Sequence, residues 1–325
     1  MNEFELIARY FDRAPLDASV RLAVGDDAAI VAPTIGCEVV ATVDMLVEGR
    51  HFLPDVDPEA LGHKTLAVNL SDLAAMGARP RWALLAGALP RNDPAWIDPF
   101  ARGLFALAAA HHVSVIGGDT TRGPLNLCVT ALGEVPAGTA LRRDGARAGD
   151  DIYVSGSVGE AALAIAATER RTHLDAATLA HCRGRLDRPL PRVALGLALR
   201  GIATSAIDVS DGLVGDLAHV LERSRTGARI DLARVPTHPA LAQRRAGSER
   251  TLALACTLAG GDDYELCFTA PAAARVALAD VARELALPLT PIGTVCESGG
   301  LVVLDEHGVP LATLPRAFDH FAATA

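Results

Sequence analysis

The chain has 325 residues, half of them hydrophobic and 21% charged, an ordinary globular composition long enough for about two domains. A formal charge of −9 with no dense Lys/Arg segment argues against nucleic acid or an anionic membrane surface as partner and favours small molecules and cations. No uncharged apolar run reaches the ~18 residues of a membrane span, and six scattered cysteines form no Cys-x-x-Cys pair, so a cytoplasmic protein with reduced thiols is expected.

The N-terminal "MNEFELIARYFDR" combines early acids with helical periodicity, unlike a signal peptide. Next, "LAVGDDAAIVAP" (22–33) sets Asp26 and Asp27 after a glycine inside an apolar run that reads as a buried strand. The β-rich run "EVVATVDMLV" carries Asp44. A helix follows, with Asp57 as cap, Pro58 in its first turn, and Gly77 and Pro80 to end it. Its stretch "LAVNLSDLAAM" is apolar on nearly every side, so Asp72 is expected to lack a watery face and to need a cation or several donors. Lys64, the sole lysine, lies about two turns away. A second helix is predicted from about Asp93 to His111, and "VIGGDTTRG" then places Asp119 before the β-rich "LNLCVTALGEV".

The polar, Gly-rich "AGTALRRDGARAGDD" (137–151) marks a boundary near residue 145, giving domains 1–145 and 146–325. Beyond it, "IYVSGSVGEAALAIAA" restarts a strand, a turn and a helix, and the Arg-rich residues 169–192 read as a solvated connection. "SAIDVSDGLVGDLAHVLERS" again reads as strand, turn and helix, with Asp208 and Asp211 around the turn and Leu213, Leu217, Val220 and Leu221 on the apolar face. "LAGGDDYELCF" places Asp262 and Asp263 before a further strand. This alternation predicts an α/β class built as α+β layers.

If these acidic loops meet at one place, repulsion raises their pKa values unless a cation intervenes. The candidate ligands are all oxygen, with the Thr42 and Ser210 hydroxyls close by in sequence, a donor set that selects Mg²⁺ or Mn²⁺ over zinc. Mg²⁺ on carboxylates commonly shares its shell with phosphates, which points to a nucleotide substrate. No Walker A or Gly-x-Gly-x-x-Gly pattern is present. "IGGDTTRG" and "SGSVGEA" remain as backbone cradles for phosphate, with Arg122 and Arg143 as possible partners.

Together "VGDDAA", "HFLPDVDPEALGHKTLAVNLSDLAAMGARP", "GGDTTRGP", "SAIDVSDGL" and "GGDDYELCF" resemble the thiamine-monophosphate kinases, within the aminoimidazole-ribonucleotide-synthetase-like superfamily of ATP-using enzymes. The resemblance spans nearly the whole chain. It implies ATP-dependent phosphorylation of thiamine monophosphate to thiamine diphosphate with several Mg²⁺ ions. It also implies a two-domain fold whose N-terminal domain binds ATP and Mg²⁺ and forms a homodimer through its sheet, while the C-terminal domain closes the cleft. Carried over by motif, Asp27, Thr42, Asp44, Asp72, Asp119, Asp208 and Asp211 would hold Mg²⁺. Gly118, Asp119, Arg143 and Ser210 would lie against ATP, and His51, Asp262 and Phe318 would face thiamine monophosphate. Two positions depart from the pattern: Val43 stands where Thr is common, and Asp262 where Glu is frequent. No catalytic His or Ser constellation emerges, so no general base and no phosphoenzyme are expected.

Overall fold

A computed structural model describes residues 3–14 and 17–316. Two compact units divide the described chain: one takes in residues up to Leu73, Gly77–Ala140 and Asp187–Val193, the other Ala74–Met76, Leu141–Leu186 and the chain from Ala194 onward.

The first unit contains, in chain order, α1 (Glu3–Tyr10), β1 (Val20–Leu22), β2 (Ile30–Val31), β3 (Cys37–Val47), α2 (Pro58–Ala75), β4 (Arg79–Leu89), α3 (Pro94–Ala110), β5 (Ser114–Arg122) and β6 (Asn126–Pro136). Its main sheet runs β3-β6-β4-β5, antiparallel except for the parallel β4/β5 pair, whose crossover is α3. Both long helices start as their caps dictate. The Asp57 carboxylate accepts the Ala60 N–H at 2.9 Å, and Asp93 accepts that of Ala95 at 3.0 Å, with a proline at the next position each time. Gly77, at φ +63°, follows the end of α2. The helices cross at paired glycines: a Cβ on Gly62 would meet the Phe100 carbonyl oxygen at 2.0 Å, and one on Gly103 that of Glu59 at 1.9 Å. Lys64 is buried within α2, at 1% exposure.

The second unit holds β7 (Asp151–Ser155), α4 (Glu160–Thr168), α5 (Ala176–Asp187), α6 (Val193–Leu199), β8 (Ser205–Asp208), α7 (Leu213–Ser224), β9 (Gly227–Asp231), α8 (Pro239–Arg245), α9 (Arg250–Ala259), β10 (Leu266–Ala270), α10 (Arg275–Glu284), β11 (Leu289–Cys296) and β12 (Leu301–Leu304). Its six strands run β12-β9-β11-β7-β10-β8. The core joins Leu213, Leu217, Val220 and Leu221 of α7 to Ile152, Ile207, Ile230 and Ile292 of the sheet. That helix face is the one its period predicts.

Three expectations are corrected. Residues 169–192 are not a solvated connection: they contain α5, whose Cys182 and Leu186 are buried. Arginine density concealed this helix, and one of the charges, Arg185, is used inside, donating to the fully buried Glu265 at 2.6 Å. The run 22–33 is not a buried strand either, for β1 and β2 are short and Gly25–Ala28 is exposed. Asp72 does have a watery face; it is half-buried in a helix whose neighbouring residues are buried.

Candidate active site

In the first unit the acidic residues form two groups. Along β3, Thr42 and Asp44 are two residues apart and so share a face of the strand; on α2, Asn69 and Asp72 are three apart and share a face of the helix. The two faces meet. The Thr42 hydroxyl donates to the Asp72 carboxylate, and the Asp44 N–H donates to Asn69 Oδ1 at 3.1 Å. Beyond β3, His51 is half-buried and its Nδ1 accepts the Val47 N–H at 3.0 Å.

The other group borders a concave space of about 650 Å³ lined by Asp26, Asp27, Leu84, Gly118, Asp119 and Thr120, among others. Asp26 Oδ1 accepts the Asp27 N–H at 2.8 Å, which ties the first carboxylate to the turn and leaves both side chains exposed. Gly118 is required by space, because a Cβ there would lie 1.8 Å from the Leu85 carbonyl oxygen across the β4/β5 pair.

Strand order separates these groups. β3 and β5 are opposite edges of the sheet, three strand spacings or about 14 Å apart. The register pairs Asp44 with Val129, and Asp119 with Ala86, which in turn pairs with Cys128. Asp44 and Asp119 therefore point to opposite faces. Among the described residues no three His, Cys, Asp or Glu side chains are grouped closely enough to hold a metal by themselves.

In the second unit β8 delivers Asp208, 3% exposed, and the following turn carries half-buried Ser210 and exposed Asp211. Asp262 comes to this turn by its backbone, donating its N–H to the Ser210 carbonyl at 2.8 Å, while its carboxylate accepts from the Tyr264 hydroxyl at 3.0 Å. Arg143 is exposed, beside the start of β8, where the Arg142 carbonyl accepts the Ala206 N–H at 3.1 Å. Phe318 lies outside the described residues.

Both expected phosphate cradles are revised. "IGGDTTRG" is not a loop but most of edge strand β5. "SGSVGEA" does turn into a helix, and three of its N–H groups are already engaged: Gly156 donates to Pro288, Val158 to Pro236, and Gly159 to Asp263 Oδ1 at 2.8 Å.

The chain is similar to known proteins along most of its length. It matches the AIR synthase related protein, N-terminal domain, over residues 25–135, and the AIR synthase related protein, C-terminal domain, over residues 147–306. It is 46% identical to the thiamine-monophosphate kinase of Escherichia coli K12 over 323 residues, covering 99% of this chain and 98% of that one. The crystal structure of thiamine-monophosphate kinase from Stenotrophomonas maltophilia K279a aligns with a TM-score of 0.83 at 47% identity, covering 95% and 96% of the two chains. The chain belongs to the thiamine-monophosphate kinase family. A more distant structure, AaThiL complexed with AMPPCP and TMP, aligns with a TM-score of 0.76 at 28% identity over 89% of each chain.

Several polar residues around this kinase's turns escaped the sequence reading. Asn69 anchors Asp44, and its only sequence signal is its place one helical step before Asp72. Asp263, placed beside Asp262 by the sequence but given no role there, is buried; burial pushes its carboxyl well above the usual range, against the opposing Gly159 N–H. Asp216, at 3% exposure in the first turn of α7, accepts three N–H groups from the preceding turn. Burial, reinforced by the Asp211 charge, pushes its pKa up to about 7, with the three N–H groups opposing. No helix among the described residues is long and apolar enough to cross a membrane.

Proposed function

We propose that the protein transfers the γ-phosphoryl group of ATP to thiamine monophosphate, giving thiamine diphosphate and ADP by direct in-line displacement with several Mg²⁺ ions. The observation that carries this reading is the cavity bordered by Asp27, Gly118 and Asp119, in a chain that matches thiamine-monophosphate kinases along almost its full length. The AMPPCP and TMP of the more distant relative are the chemical partners this reading gives to the present chain.

The donor set fits Mg²⁺. Every proposed ligand is an oxygen, and Mg²⁺ commonly takes only one or two carboxylates, completing its shell with water and substrate phosphates. A shell of that kind needs no all-protein cage. Asp27, Asp119, Thr42, Asp44 and Asp72 in domain 1–145 would hold it, with Asp208 and Asp211 in domain 146–325. Because Asp44 and Asp119 sit about 14 Å apart on opposite faces, they serve different ions, in keeping with several rather than one. When bound, the metal neutralises the repulsion between two phosphate-bearing reactants. Gly118, Arg143 and Ser210 orient ATP, and His51, Asp262 and Phe318 the acceptor.

A phosphate monoester has its second pKa at about 6, so the acceptor is already largely dianionic at neutral pH and no side chain has to remove a proton. The chain's task is alignment and exclusion of water. The N-terminal sheet also supports a homodimer: edge strand β3 exposes Val39, Val43 and Met45 on one face, an apolar stripe suited to a second copy. Consumption of ATP inside the cytoplasm is consistent with six free thiols.

The deciding experiment incubates purified protein with ATP and thiamine monophosphate, with Mg²⁺ or with excess chelator. Equal amounts of thiamine diphosphate and ADP, abolished by chelator, are expected. Tight binding of both ligands without product would replace the kinase with a non-catalytic sensor. A labelled phosphoprotein trapped during turnover would overturn direct transfer.

A further inference from the structure

The turn Val209–Gly212 links β8 to α7 and carries Ser210 and Asp211. Its backbone is clamped from two directions. On one side the Asp262 N–H bonds the Ser210 carbonyl at 2.8 Å and the Tyr264 N–H bonds that of Val209 at 2.9 Å. On the other, a single oxygen, Asp216 Oδ2, accepts the N–H groups of Ser210, Asp211 and Gly212, each at 3.1 Å. Gly212 completes the arrangement at φ +114°, where a Cβ would stand 2.5 Å from the Ala259 Cα.

The direction of the Asp216 bonds is informative. A side chain serving its helix accepts first-turn N–H groups from the N-cap, or reaches back from the first turn to the N-cap N–H. Asp216 makes that second kind of bond to the N-cap Gly212, and it also reaches beyond the helix to the Ser210 and Asp211 N–H groups. Those two bonds organise the turn as well as the helix start. The arrangement is costly, since a carboxylate is buried close to the Asp211 carboxylate. An apolar residue at the same helix position would pack into the core at no such cost. What the carboxylate uniquely supplies is a fixed direction for three successive peptide groups, and with them the side chains of Ser210 and Asp211.

We propose that Asp216 is a positioning residue for phosphoryl transfer: by gathering three N–H groups it sets the Ser210 hydroxyl toward ATP and the Asp211 carboxylate toward Mg²⁺. This rests on the kinase reading for what Ser210 and Asp211 bind. Asp216, being buried, would touch neither ligand itself. Its removal should weaken binding of the metal–nucleotide complex while the second unit stays folded.

The test measures MgATP binding by calorimetry without acceptor, and initial rates against Mg²⁺ and ATP, for the wild type, Asp216→Leu and Asp216→Asn. Asp216→Leu, similar in size but without an acceptor, should lose at least about tenfold in MgATP affinity and need more Mg²⁺ for half-maximal rate, the worth of one charge-assisted hydrogen bond. Asp216→Asn keeps a carbonyl oxygen and should recover most of that loss. A general structural defect would lower the melting temperature of both variants without separating them in Mg²⁺ demand. If Asp216→Leu binds MgATP and responds to Mg²⁺ like the wild type, the proposal is wrong.

Hydrogen exchange on the wild-type protein gives a readout that does not depend on the variants folding. The amides of Ser210, Asp211 and Gly212 lie outside any helix or strand, yet should exchange as slowly as those of α7; fast exchange would overturn the clamp. Wild-type protein that binds MgATP but never phosphorylates thiamine monophosphate would end the kinase reading alone, leaving Asp216 to be judged by the variants. Failure of the wild type to bind MgATP would remove both.

Discussion

Asp72 shows how much rests on one side chain. It is the half-buried acid of an otherwise buried stretch of α2, and the Thr42 hydroxyl is already turned toward it. Asp72→Asn removes the charge while keeping the shape. The half-saturating Mg²⁺ concentration should rise by about tenfold or more, the cost of losing one charged ligand interaction. An unchanged Mg²⁺ titration of the rate would take Asp72 out of the proposed site. Gly118→Ala acts by space instead of charge. Its new methyl would meet the Leu85 carbonyl, so β5 must shift away from β4, costing about 1–3 kcal/mol in denaturant unfolding and displacing Asp119. Asp26 and Asp262 were legible in the sequence because a glycine before an acid suits a turn. Asp216 also follows a glycine, Gly215, but inside α7, and was missed. It stands at a helical position where acids ordinarily meet solvent, and its partners are backbone N–H groups, which no residue letter encodes.

At the scale of elements, the α2/α3 crossing depends on two glycines that each admit the other helix's carbonyl. Gly62→Ala should therefore destabilise by about 3 kcal/mol, because backbone rather than a flexible side-chain end must move. A denaturation midpoint within experimental error of the wild type would disprove the close crossing. His63, on the same helix, is 8% exposed and bonds the Pro189 carbonyl through Nε2 at 2.7 Å. Burial holds its pKa below the ordinary 6.5, with the Pro189 bond opposing and the Arg188 charge reinforcing. A depressed pKa in the folded state means that the stability His63 contributes is complete above pH about 6.5 and is lost as pH falls toward the folded value. Melting temperatures between pH 8 and 5 should thus fall more steeply for the wild type than for His63→Gln, whose side chain does not titrate. Parallel curves would exclude this histidine. Helices α2, α3 and α7 were readable from caps and apolar period. Helix α5 was not, since its buried face is narrow and its arginines resemble solvated charge until Glu265 is known to lie inside.

For the molecule as a whole, the alternation of strands and helices announced the α/β class, whereas strand order had to come from the structure. Periodicity can say that β3 is a strand, while most of β5 was read as a cradle; only pairing reveals that the two are opposite edges, and so that Asp44 and Asp119 cannot share an ion within one sheet. The same order leaves Val43 of β3 61% exposed beside Val39 and Met45. If the proposed homodimer uses this stripe, Val43→Asp should make the protein sediment as a monomer at concentrations where the wild type is dimeric. Equal sedimentation of the two would move the interface elsewhere.

The burial of Lys64 has a practical consequence. It is the only lysine, and its side chain is almost wholly enclosed in the first unit. Acylating reagents that seek primary amines would find no lysine on the folded surface, so any α-amino group would be the principal target. Modification of Lys64 would then record moments when α2 opens, making one residue a built-in chemical clock for unfolding of that unit.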